Sequence, residues 1–162
     1  MRILDEKFRR NKSRYIFQTL LMGLSVMGIL FLLDTISEAA VIASFGASSF
    51  IVFTIPHKKA SRPKYIIGGN AFGVLTAFFL HIFSLITGLN GSKYEIIYGA
   101  TAVGLAMFLM IMTDTEHPPG AGLAFGLSLD GFDVRTAIIT LLALILLSVI
   151  KKVLKPLLID LL

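Results

Sequence analysis

The sequence contains no cysteine. Disulfides, thiolate metal sites and thiol chemistry are therefore excluded, and cysteine usage says nothing about redox compartment. Charge is scarce as well: 15% of the 162 residues are Asp, Glu, Lys or Arg, where a soluble domain averages about 25%. Five stretches, 15–33, 36–55, 65–89, 96–112 and 136–150, hold no lysine or arginine at all. Glu38 and His81 are their only ionisable side chains besides tyrosine. The three histidines show no metal-ligand spacing, and "DTEH" (residues 114–117) has no second arm to complete a cation site, so neither metal nor cofactor is expected. No A-x-A-like cleavage site follows the basic start, and the first apolar run is of spanning length, so a cleavable leader is not expected.

What remains is apolar. Hydrophobic residues make up 56% of the chain and the mean hydropathy is +0.84. Arranged in runs near the 20 or so residues that a bilayer-spanning helix needs, they predict an all-α, multi-pass membrane protein. The basic residues fall in clusters: six in 1–14, four in "PHKKASRPK" (Lys58, Lys59, Arg62, Lys64) and three near the end (Lys151, Lys152, Lys155). Cations that border spans set topology rather than bind nucleic acid, and they stay on the cytoplasmic side. The clusters therefore share a side only if 36–55 crosses the membrane and 117–130 crosses again. As pure helix, 14 residues cover about 21 Å of a core about 30 Å thick. An extended 113–119 followed by helix from Gly120 would reach, so the fifth segment is expected to be a broken crossing or else a deep re-entrant loop.

About six segments follow, arranged as two halves. Shifting the chain by 80 residues lays Asp34-Thr35 on Asp114-Thr115 and "SFGAS" on "AFGLS". Three segments per half, 15–89 and 94–155, would make the second copy inverted, and inverted repeats place sites on discontinuous helices near the midplane. The organisation expected is a basic cytoplasmic segment 1–14, one membrane domain 15–155 and a tail 156–162. The bilayer is the inner membrane of a cell with the N-terminus cytoplasmic, and a chain this small is expected to form a homo-oligomer.

Two motifs could carry chemistry. In "EHPPGAG" the prolines disfavour helix before them and suit the first helical positions after it. The amides of Gly120, Ala121 and Gly122 would then be free to meet an anion at the positive end of a helix, beside His117, Pro118 and Pro119. Alternatively the stretch is only a tight turn at the membrane surface. In "ASFGASSF" Gly46 is flanked by Ser44, Ser48 and Ser49; this is either a second broken helix lining the same site or a seam of small residues. Asp34, Asp114 and Glu116 sit at span ends, where interfacial capping is the simplest role. Glu38 and His81 lie within runs and are candidates, with Asp114 and Glu116, for proton or ion coupling. His57 lies at an interface. No enzyme pattern emerges: "FGASS" is not G-x-S-x-G, and a Ser48–His117 hydrolase would have two residues and no orienting third group.

Together, "MTDTEHPPGAGLAFG" and "ASFGASSFIVFTIPHKKASRPKYIIGGNAFG" resemble the HPP family of integral membrane proteins, named for the residues at His117-Pro118-Pro119. The first-half block is similar to the family's F-G-A-S segment and its P-(K/R)-x-x-x-G-G approach to the next span. The resemblance implies four transmembrane helices in the usual description, fewer than six segments, with the difference falling on the two broken ones. It also implies transport, since some plant-organelle and cyanobacterial relatives are associated with nitrite. Many relatives have histidine after the Gly-Gly pair where this chain has Asn70. The expected function is a transporter or channel for a small monovalent anion, nitrite by resemblance. His117 and the Gly120–Gly122 amides would bind it, with Ser48, Ser49 and Asn70 donating from the other half. The alternatives are a carrier of a weak acid or of a cation held by Asp34, Glu38 and Asp114, or a membrane scaffold or regulatory subunit.

Overall fold

The computed structural model describes residue 8 and residues 10–33, 39–89, 92–129 and 131–162, with backbone alone at 32, 33, 39, 40, 92 and 93. Asp34 and Glu38 lie outside the described residues. Among the described residues six α-helices of more than ten residues follow one another: α1 (Lys12–Leu33), α2 (Ala39–Thr54), α3 (Pro63–Thr87), α4 (Ser92–Met112), α5 (Pro118–Leu129) and α6 (Val134–Leu154). Single 3-10 turns stand at Lys59–Ser61 and Lys155–Leu157.

Four of these helices are long and apolar enough to cross a bilayer: α1, α3, α4 and α6. The other two are short. α2 has 16 residues and α5 has 12, about 24 Å and 18 Å at 1.5 Å per residue. A count of long apolar helices therefore gives four although six pass through the fold. Rows of large apolar side chains, such as Ile16, Leu20, Leu24 and Met27 on α1, face outward, as a lipid-facing surface requires.

The fifth segment runs along the bundle from one end toward the other. The segment leading into α5 is held to Lys59 and Lys64 through Asp114, and α6 begins toward the opposite end, where Phe132 packs edge-on against Phe78 and near His81. α6 then returns until buried Lys151 donates to the carbonyl and hydroxyl oxygens of Ser61 at 2.5 and 2.9 Å. The loops 55–62 and 113–117 and the end of the chain thus share one face, here called the basic face. The end of α3 at Ser84 and Leu85, the start of α4 at Glu95 and Tyr98, and Leu129, Gly131 and Phe132 come together at the other end, here called the far face.

The break expected at the F-G-A-S motif does not occur. α2 runs without interruption through Ser44, Gly46, Ser48 and Ser49. No proline lies between 39 and 54, a single helical glycine costs only about 1 kcal/mol relative to alanine, and Ser49 Oγ returns its proton to Phe45 O one turn back at 2.9 Å. Only the second-half motif interrupts a helix. There the new helix starts at Pro118 rather than Gly120, because proline's fixed φ suits the first turn.

α5 is the centre of the bundle, contacting α2, α3 and α4. Small residues let its neighbours come close. A Cβ on Gly73 of α3 would lie 2.2 Å from Gly120 O, and one on Gly69 would lie 2.4 Å from His117 Cβ. On the other side Phe125 fills the space above Gly99 of α4, with Ala102 and Ala106 fully buried below it. A second core joins α1, α2 and α6 through Ile29, Phe45, Phe53, Leu144 and Leu147.

The C-terminal residues are docked. Gln18 of α1, fully buried, donates to Phe53 O at 2.7 Å and Ile159 O at 2.9 Å and accepts from Ile159 N at 2.9 Å. Leu161 N donates to Thr54 O at 2.7 Å. The two carbonyls that end α2, which have no intrahelical donors, are satisfied this way. His57 N–H closes the arrangement on Asp160 Oδ1 at 3.0 Å.

Candidate functional site

Between Met112 and Pro118 the chain must end one helix and begin another. The end of α4 is a Schellman closure: Thr115 N–H donates to Met110 O at 2.9 Å and Asp114 N–H to Ile111 O at 3.4 Å. The residue at the left-handed position, where glycine is usual, is Asp114, with φ 52°. Aspartate tolerates this region better than most residues. It also brings a carboxylate that glycine lacks.

That carboxylate gathers the basic loop. Lys59 Nζ donates to Asp114 Oδ1 at 2.5 Å, and Lys64 Nζ and Tyr65 OH donate to Oδ2 at 3.2 and 2.8 Å. The two ammonium groups lie 5.0 and 5.5 Å from the Tyr65 ring, a cation–π distance, and Glu116 stands 3.9 Å from Lys59. The hydrogen bond from Lys59, followed by those from Tyr65 and Lys64, holds the Asp114 carboxyl well below the usual carboxylate range. The same bond to Asp114 raises the Lys59 ammonium above its ordinary value.

Thr115–His117 then run without helix down the face of α3. Thr115 packs on Gly68 and His117 on Gly69. Gly69 is the seventh residue of α3, so His117 lies about 9 Å below that helix's start. The imidazole is fully buried. Its Nε2 shares a 2.9 Å hydrogen bond with Ser48 Oγ, the tautomer deciding which donates. Its Nδ1 has no hydrogen-bond partner among the described residues. Beside it Ser44 Oγ donates to Pro119 O at 2.7 Å and reaches Asn70 Oδ1 at 3.4 Å, while Asn70 Nδ2 donates to Ile66 O at 2.7 Å. Ser44, Ser48, Asn70 and His117 form one buried polar cluster contributed by α2, α3 and the start of α5.

The amides of α5 are more fully used than the sequence suggests. A helix leaves its first N–H groups without acceptors, but Pro118 and Pro119 have none to leave. Gly120 N–H donates to His117 O at 2.8 Å. Ala121 and Gly122 come next, where the regular ladder supplies the carbonyls of His117 and Pro118.

Of the residues singled out in the sequence, His117, Pro119, Gly120, Ser48 and Asn70 meet here. Ser49 is buried but bonded within its own helix. Ala121 packs with the α4 alanines. Gly46 and Gly122 are exposed with open space around them, away from the cluster. Asp114 and Glu116 lie at the basic face. His81 lies toward the far face, lining a cavity of about 320 Å³ with Ser84, Glu95, Tyr98 and Ser128. His57 is exposed, with Nδ1 3.5 Å from Asp160. Ser48 and His117 do meet as a nucleophile and base would, but no third group orients Nδ1 among the described residues. Sequence reasoning passed over Gly69 and Gly73, although their G-x-x-x-G spacing is a known signal for close helix approach. It also missed Lys59, Lys64 and Tyr65 as partners of Asp114.

Among known proteins, 83 residues of the chain are 31% identical to a transmembrane protein of Dictyostelium discoideum, covering 51% of this chain and 28% of that one. The chain thus spans well under half the length of that relative. No solved structure matches it. The family model for the HPP transmembrane region matches residues 8–160, which takes in all six helices, the H-P-P start of α5 and the G-G-N stretch laid against it. The chain belongs to the HPP family of transmembrane proteins.

Proposed function

We propose that this multi-pass protein is a transporter or channel for a small monovalent anion, nitrite by resemblance to relatives in its family. The observation that carries this is the His117 imidazole. It is fully buried and held through Nε2, and Nδ1 has no hydrogen-bond partner among the described residues. A buried polar group without a hydrogen bond costs about 1–3 kcal/mol, and a solute that accepted from Nδ1–H would recover that cost. The position favours negative charge, since His117 caps the positive end of α5. Ser44, Ser48 and Asn70 supply further polar groups within the cluster. The Gly120–Gly122 amides join them when the first turn of α5 loosens its hold on His117 O.

Several further features belong to the same proposal. The basic face is cytoplasmic, in keeping with its lysines and arginines, and the bilayer is an inner membrane with the N-terminus inside. The long–short–long order of α1–α3 and of α4–α6 supports an inverted repeat, which survives without the α2 break. Exposed Gly46 with Ala43 and Ala47 leaves α2 open to a second copy, so a homo-oligomer is proposed. Neither nucleic acid nor a cofactor enters, and no catalytic step is assigned.

The close contacts of Gly69 and Gly73 with His117 and Gly120 favour a second reading, in which the motif serves only to lock helices of a scaffold. The deciding experiment is uptake of a panel of small anions, nitrite included, into proteoliposomes. Anion flux that falls in His117→Ala while the protein remains folded is expected. Absence of flux for every anion, in protein that is intact and inserted, favours the scaffold.

A further inference from the structure

The buried polar cluster is flanked differently on its two sides. Toward the far face lies the cavity of about 320 Å³, lined by His81, Ser84, Glu95, Tyr98, Ser128 and apolar residues that include Ala77 and Leu127. Ala77 and Leu127 are fully buried and pack with Leu123 and Val41. From Ala77 back to Asn70 is seven residues of α3, about 10 Å, so a thin apolar layer separates cavity and cluster. Ser44 is one turn from Val41 on α2, so the same layer touches the cluster on a second helix.

Toward the basic face the cluster is roofed by Thr115, itself buried. Thr115 shares a 2.8 Å hydrogen bond with Thr113. Above it sits Asp114 with Lys59, Lys64 and Tyr65. This roof joins two connections, 55–62 and 113–117, that otherwise belong to different parts of the bundle.

We propose that the far-face cavity is the outer chamber of the transport path, taking up a small hydrogen-bonding solute, and that the Asp114–Lys59–Lys64–Tyr65 clamp is the closed gate on the basic face. This rests on the transporter reading above. Three features fit a gate better than a static staple. First, the clamp's ions are about half exposed, with side-chain exposures of 54–57%, so water and salt compete for each pair and it can part without stranding a buried charge. Second, Thr115–His117 form a non-helical strap, so displacing Asp114 pulls directly on the imidazole that Ser48 holds. Third, the strap lies on Gly68 and Gly69, where no side chains would stand in the way of its movement. Parting the clamp would open the cluster to the basic face while the layer of Val41, Ala77, Leu123 and Leu127 seals the chamber, which is one half of an alternating-access cycle.

The absence of cysteine allows a direct test. Ser48→Cys and Ser128→Cys are made singly in the full chain, reconstituted, and treated with an impermeant thiol reagent applied to each face in turn. Ser128→Cys should label from the far face, and Ser48→Cys should be slow from the basic face. Adding Asp114→Gly keeps the left-handed position at the residue type that suits it best but removes the carboxylate. It should speed basic-face labelling of Ser48→Cys at least tenfold. Tyr65→Phe, which removes a single hydroxyl, should speed it less. Equal labelling of Ser48→Cys with and without Asp114→Gly overturns the gate, and labelling of Ser128→Cys from the basic face alone overturns the chamber. Labelling needs no solute, so an error about the anion would appear in flux and leave these rates unchanged.

Discussion

Replacing Gly73 by alanine adds one methyl group at the tightest backbone crossing in the bundle. The new Cβ would stand 2.2 Å from Gly120 O and 3.1 Å from Gly120 C. Ordinary carbon–oxygen contact begins near 3.3 Å, so α3 and α5 must separate by about 1 Å. Both obstructing atoms are backbone, and no rotamer change relieves them. Overpacking of this kind costs about 1–3 kcal/mol. The separation also disturbs the start of α5, which Ser44–Pro119 at 2.7 Å and Ser48–His117 at 2.9 Å hold to α2. Gly46→Ala is the matched control. Its Cβ meets nothing within 4 Å, so the gain in helix propensity, about 0.5–1 kcal/mol, should stabilise α2. Monodisperse protein remaining after heating, read by size-exclusion chromatography in detergent, should fall for Gly73→Ala and hold or rise for Gly46→Ala. If both variants move together, or Gly73→Ala keeps wild-type stability and flux, the helices are not packed as described.

Loss of the imidazole in His117→Ala should weaken anion binding by about 1.5–3 kcal/mol, the worth of a hydrogen bond to a charged group, roughly tenfold or more in Kd by titration. Glu116→Gln should leave binding unchanged or raise it, whereas a cation site at Asp114 and Glu116 requires a loss. The Asp114 carboxyl, held low, contributes its stability above the ordinary carboxylate range and loses it only as pH falls through its depressed value. Lys59, held high, contributes below the ordinary lysine range and loses it as pH rises through its raised value. The clamp should therefore be insensitive to pH between about 5 and 9 but loosened by high salt, with Ser48→Cys labelling as the readout. Cysteines at Lys58 and Leu157 should label from one face and a cysteine at Gly131 from the other; labelling of Lys58→Cys and Gly131→Cys from the same face contradicts the six-helix path.

The long helices α1, α3, α4 and α6 were legible because twenty apolar residues leave little choice of structure. The start of α5 was legible because Pro118-Pro119 forbids helix behind it and favours helix ahead. The F-G-A-S stretch misled for a physical reason: serine and glycine weaken a helix only slightly, and serine hydroxyls find carbonyls inside it, as Ser49 does with Phe45. The Gly120 amide, expected free, donates to His117 O in this structure, because two prolines ahead of it place it where the first turn's own carbonyl is in reach. Asp114 was visible as a charge at a span end, but its lysines are 55 and 50 positions away in the chain. Their pairing depends on which loops share a face and on a left-handed backbone turn. The Gly69–Gly73 spacing was readable and carries the crossing that brings His117 to Ser48.

Gln18 gives the fold a timetable. Its partner Ile159 stands 141 residues further along the chain, and at about 5–20 residues per second that distance takes roughly 7–28 s to synthesise. Until Ile159 is made, Gln18 can reach only Phe53 O among its final partners, and Thr54 O at the end of α2 waits uncovered for Leu161. Membrane insertion must therefore precede assembly of the mature packing, and residues 159–161 complete a site on α1 and α2 that is made long before them. A surveillance protease that recognises unsatisfied polar groups within the bilayer would find Gln18 half-partnered before Ile159 is in place and fully partnered after it.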